Sequence, residues 1–82
     1  MTMTSNYDKY IRPEVWPVSV DTVSSVHFGA RHSGGRIEVR AWGSPPGMPP
    51  RLYVLDVVPE YEAPHAVQAI AEYVMACRKL VG

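Results

Sequence analysis

The side chains in this sequence with the chemistry for catalysis or metal binding are few: His27, His32, His65 and a single cysteine, Cys77. A metal centre or an acid–base pair needs such groups gathered at ligand or hydrogen-bond spacing. The histidines show no His-x-x-x-His interval, and no thiol or carboxylate cluster accompanies them. Each also has a structural reading: His27 on the outer side of a strand, His32 in a turn, His65 at a helix start. Cys77 falls on the apolar arc of the last helix, near its C-terminal end, where the helix dipole disfavours a thiolate. It reads as a small core hydrophobe. Gly29 to Arg36 looks like an anion nest, with glycine amides among arginines, but it lacks the Gly-Lys-Ser/Thr ending of a phosphate loop. A hairpin turn accounts for its glycines. The chain therefore reads as a non-enzyme, with no cofactor and no metal expected.

Binding chemistry is better represented. His27, Arg31, Arg36, Arg40 and Trp42 are spaced to alternate outward on two strands. Arginines beside an aromatic on an open sheet can hold a protein partner, or stack bases and contact phosphates. The plain reading of that face is a solvated surface with Glu38 pairing an arginine. The second feature is the connector Gly43-Ser44-Pro45-Pro46-Gly47-Met48-Pro49-Pro50-Arg51, which carries four of the eight prolines. Proline lacks a backbone donor, so this stretch is expected to project as a stiff, polyproline-like loop. Its Pro46-to-Arg51 portion fits the Pro-x-x-Pro-x-Arg pattern of modular proline ligands, a short pattern that arises often by chance. A stiff loop presenting Met48 costs little entropy to dock. Met48, Trp42, Arg36, Arg40, Arg31 and Arg51 are the candidate partner-binding residues.

Composition bounds these readings. Eighty-two residues make one small domain, and 46% hydrophobic content suits a folded chain. Net charge is zero, so the global field favours neither nucleic acid nor an anionic membrane. Between Thr22 and Arg51, however, four arginines oppose Glu38 alone, a local +3 that leaves −3 elsewhere. The lone cysteine precludes an internal disulfide and suits a reducing compartment. Met1 to Asn6 is polar and does not read as a secretory signal, and no apolar run is long enough to span a bilayer. A cytoplasmic location is expected.

The elements that must position these residues follow from periodicity. Residues 1–6 read as a frayed end. Residues 7–20, interrupted by Pro13 and Pro17, read as an irregular arm or short strand whose Tyr7, Tyr10, Ile11 and Trp16 pack on the body. Residues 25–58 read as a β-meander. Ser25–Arg31 sets Val26, Phe28 and Ala30 against outward His27 and Arg31; Arg36–Trp42 sets Ile37, Val39 and Ala41 against Arg36, Glu38, Arg40 and Trp42. Leu52–Val58 is apolar on both sides, with Leu52, Val54 and Val58 on one and Tyr53, Leu55 and Val57 on the other. Such a strand at a sheet edge needs a cover, from the arm or from a second copy paired along Leu52–Val58. Residues 63–81 read as a helix with Pro64 in its first turn, and with Ala66, Val67, Ile70, Tyr73, Val74, Cys77, Leu80 and Val81 on one arc. Gly82 reads as its terminator.

The expected fold is α+β: a three- to four-stranded antiparallel meander with one C-terminal helix on one face. In general form, without a shared motif, it resembles small phage-encoded inhibitors such as anti-CRISPR proteins, which would make it a phage or bacterial accessory protein. The expected function is non-enzymatic binding to a larger protein or complex, inhibitor- or adaptor-like, through the proline loop and the exposed sheet face. Single-stranded nucleic acid on the same face is the alternative.

Overall fold

The computed structural model describes residues 9–81; the expectations for Met1–Asn6, Tyr7 and Gly82 lie outside them. Three antiparallel strands, β1 (Ser25–His32), β2 (Arg36–Gly43) and β3 (Arg51–Pro59), form a sheet in the order β1-β2-β3, and helix α1 (Ala63–Val81) follows. Gly34 and Gly35 take φ of +82° and +71° in the first hairpin, as adjacent glycines tolerate at low cost. Val39 and Ala41 on β2 face α1, whose buried side is Ala63, Ala66, Ala69, Ile70 and Val74. Three small alanines let the helix lie close to the sheet, and Ile70, fully buried, fills the centre.

The arm completes the core. After a 3-10 stretch at Lys9 and Tyr10 it folds through short 3-10 turns at Pro13–Val15 and Val20–Thr22, so among the described residues the sheet has three strands and the arm adds none. Pro13 opens the first turn, where a missing donor is harmless. Tyr10, Trp16, Val18 and Val23 are buried, and Trp16 meets Tyr73 of α1 edge to face at 6.1 Å. The Tyr10 hydroxyl donates to Glu62 at 2.5 Å and Lys9 pairs the same carboxylate at 3.1 Å. These donors hold Glu62 below the ordinary carboxylate range, while burial first, then Glu62, raises the Tyr10 phenol.

Two bulges change which side chains face outward. In β1, Phe28 stands opposite Val39 and Arg31 opposite Ile37, so Gly29 and Ala30 together oppose Glu38. The extra residue moves Arg31 to the helix side of the sheet, where it pairs Glu60 at 2.7 Å, and leaves Ala30 exposed; both expectations for β1 are corrected. Phe28 shares the inward side with Val39 yet is 51% exposed, because β1 is an edge strand. In β3, Val39 opposes Asp56 while Arg40 opposes Val54, so Leu55 is the extra residue. Val58 therefore joins Tyr53 and Leu55 on the core side, and Val57 joins Leu52 and Val54 outside, opposite to strict alternation. No helix among the described residues is long and apolar enough to cross a membrane.

Candidate functional site

Helix α1 and the arm cover one side of the sheet only. The other side carries Arg36, Glu38, Arg40 and Trp42 from β2, Ser25 and His27 from β1, and Leu52, Val54 and Val57 from β3. At one end Trp42 stands across from Leu52, with Val54 diagonally beside them; they are 44%, 42% and 40% exposed. Beta-branched and aromatic residues usually earn such places by being covered. The expectation that β3 has both sides covered is not met among the described residues, since all three stay exposed on this side.

The polar end of the face is organised by Glu38. Its Oε1 accepts the Ala30 N–H at 3.2 Å, freed by the β1 bulge, and both Nε and Nη2 of Arg40, at 2.7 and 2.6 Å. Its Oε2 meets His32 Nε2 at 2.7 Å. Donation by His32, then by Ala30 and Arg40, pulls the Glu38 carboxyl down to about 2. Gly29 makes the Arg40 contact sterically feasible: a Cβ there would lie 2.4 Å from Arg40 Nε and 2.7 Å from its Cδ. The arginine crosses the strand over a position with no side chain.

Arg36 has no carboxylate partner among the described residues; its Nη2 donates to the Val57 carbonyl at 3.2 Å. Asp56 accepts the Val57 N–H at 2.8 Å and pairs Arg12 at 3.6 Å. Both polar backbone groups of Val57 thus have side-chain partners, and Pro59 has no N–H to offer. A strand added along this end of β3 would have to displace both contacts, which weighs against a second copy pairing along Leu52–Val58.

The proline connector adjoins the apolar end. It is a tight turn where a polyproline-like loop was expected: Met48 N–H donates to the Pro45 carbonyl at 3.2 Å and Gly47 takes φ +75°. Proline at the second position and a positive-φ glycine at the third are what a type II turn demands. Its base is tied to the arm, since the Thr22 hydroxyl accepts the Ser44 N–H at 2.9 Å and the Ser19 N–H donates to the Ser44 carbonyl at 2.9 Å. Met48 at its tip is 52% exposed.

The structure brings three of the six sequence-derived residues together, Trp42, Arg40 and Arg36, in one row; Met48 lies in the turn that follows β2 beyond the Trp42 end. Arg31 leaves the face through the bulge, and Arg51, opposite Gly43, sits on the side occupied by Thr22, Val23 and Val18. Leu52, Val54 and Glu38 belong to the surface and were missed as site residues, although the alternation of β3 carried the signal for the first two. Among the described residues no group of three His, Cys, Asp or Glu side chains is placed to hold a metal ion. Cys77 is half-buried, not a full core residue, and its thiol together with burial raises the neighbouring Tyr73 phenol. Compared with known proteins, the chain matches no family model, no curated protein and no solved structure.

Proposed function

We propose that the chain is a small non-enzymatic binding domain, inhibitor- or adaptor-like, that docks on a larger protein through the open sheet face and the Met48 turn. The observation that carries this reading is the exposed Trp42–Leu52–Val54 cluster on a face that neither helix nor arm covers; the turn bearing exposed Met48 follows β2 at the same end of the sheet. Hot spots in protein interfaces favour Trp and Arg in settings of this kind. The cation pattern favours a protein over a nucleic acid. Arg40 is neutralised by Glu38 and Arg31 by Glu60, so the run of free guanidinium groups that a phosphate backbone would need is broken. A reducing, cytoplasmic setting accompanies the reading because the one cysteine is unpaired.

Affinity capture from the native source, with wild type beside Trp42→Ala/Leu52→Asp and Met48→Asp, tests it. A protein retained by wild type and lost by both variants, with unchanged circular dichroism, is the expected result. Identical capture profiles would overturn the docking site. Salt-sensitive oligonucleotide binding lost in Arg36→Glu/Arg40→Glu would move the function to nucleic acid.

A further inference from the structure

The outward positions of β2 read Arg36, Glu38, Arg40, Trp42: cation, anion, cation, aromatic. That order is complementary to its own reverse. When two copies face each other with their β2 strands antiparallel, the residues match about Val39. Arg36 of each copy meets Trp42 of the other, and Glu38 of each meets Arg40 of the other. The same operation lays the apolar column Leu52, Val54, Val57 of β3 against its own copy, and β1 against β1. We propose that a second copy of this chain covers the open face, sheet on sheet, as an isologous two-fold dimer.

The order of side chains argues for this occupant, and the size of the face sets how tightly it is held. Arg36 lacks a carboxylate among the described residues and is exposed, so its guanidinium is available to the face of an indole, a contact that strengthens as water is excluded. Glu38 is already fully hydrogen-bonded within its own chain, so its alternation with Arg40 sets the register between copies more than the affinity. Stacked sheets pack about 10 Å apart, a separation that outward Leu, Val and Trp side chains fill. Three strands spaced ~4.8 Å and about eight residues long present roughly 400 Å² of planar face per copy. Two such faces come to roughly 800 Å² in planar terms, below the ~1,200 Å² where stable specific interfaces begin and in the range of weak, transient contacts, so the dimer is reversible. Self-association of this kind occludes Trp42, Leu52 and Val54 and competes with any larger partner on the same face. The inference shares that face but does not rest on the docking reading, because its readout is mass alone.

Sedimentation velocity of the full chain, from roughly micromolar to millimolar concentration, tests it. The expected result is a mass rising from 9.1 kDa toward twice that value. Leu52→Asp should hold at one chain with unchanged circular dichroism, and Phe28→Ser, on the other side of the sheet, should leave the rise intact. The register has its own test. Arg36→Glu alone sets a carboxylate against Trp42, and Trp42→Arg alone sets two guanidinium groups together, so each should dimerise less than wild type. An equimolar mixture of the two restores one ion pair and one Arg–Trp contact and should recover two-chain mass. Wild type at one-chain mass throughout, or a mixture no heavier than its components, would overturn the dimer. A monomeric wild type that still loses a captured protein on Trp42→Ala/Leu52→Asp would refute this inference alone and leave the docking reading standing.

Discussion

Glu38 shows how one side chain can organise a surface. Four donors converge on its two oxygens, one of them the Ala30 amide from within the β1 bulge. The folded carboxyl sits at about 2, below the ordinary 4.5, so ionised Glu38 stabilises the fold above about pH 4.5 and that contribution is lost as pH falls toward 2. Glu62, held low by the Tyr10 hydroxyl and then by Lys9, likewise stabilises the fold when ionised and loses that contribution as pH falls below the ordinary carboxylate value. Acid unfolding followed by fluorescence should therefore be shallower across this range in Glu38→Gln, and shallower still in Glu38→Gln/Glu62→Gln. A carboxyl-detected NMR titration should find Glu38 shifted upward in His32→Ala, which removes the largest contributor. It should move upward in Gly29→Ala as well, where the new methyl displaces Arg40. A Glu38 that still titrates at about 2 in Gly29→Ala would show that the arginine tolerates the methyl.

At the level of elements, the turn and the helix carry different kinds of constraint. Gly47 holds a left-handed φ with open space around it, so Gly47→Ala meets no clash and pays only for conformation, about 1–2 kcal/mol, measurable by urea unfolding. In α1 the constraint is packing. Ile70→Ala removes a fully buried side chain between helix and sheet and should cost about 2–5 kcal/mol. Ala66→Leu should cost about 1–3 kcal/mol by overpacking, because Ala66 has no exposed surface. The helix bounds were legible as 63–81 from the apolar arc and Pro64, and the three strands fell within a residue of their alternating runs. The arm was not legible as a succession of 3-10 turns. Prolines rule out a helix but do not say which turn replaces it, and Tyr10 and Trp16 take their places only against Glu62 and Tyr73.

For the molecule as a whole, the arrangement is a two-layer slab, about 18 Å in its thinnest dimension, with one sheet face covered and one open. The asymmetry makes a prediction about stability. Leu52→Asp on the open face should change the unfolding free energy by no more than about 0.5 kcal/mol. Trp16→Ala on the covered side should cost about 3–5 kcal/mol. A large loss in Leu52→Asp would mean that the face is packed within the chain.

From the sequence alone came the element order, the single helix, the hairpins and the row Arg36, Glu38, Arg40, Trp42, because period-two and period-3.6 patterning are local properties of the chain. The tertiary structure decided which of the arginines share a surface. A bulge is one residue of slack between paired strands, set by how the whole sheet twists and by where Arg40 finds room over Gly29. It carries no compositional mark, yet it sends Arg31 to Glu60 and turns Val57 outward. The openness of the face was likewise a tertiary outcome. Alternation says that β3 is apolar on both sides, but only packing shows that arm and helix both choose the same one.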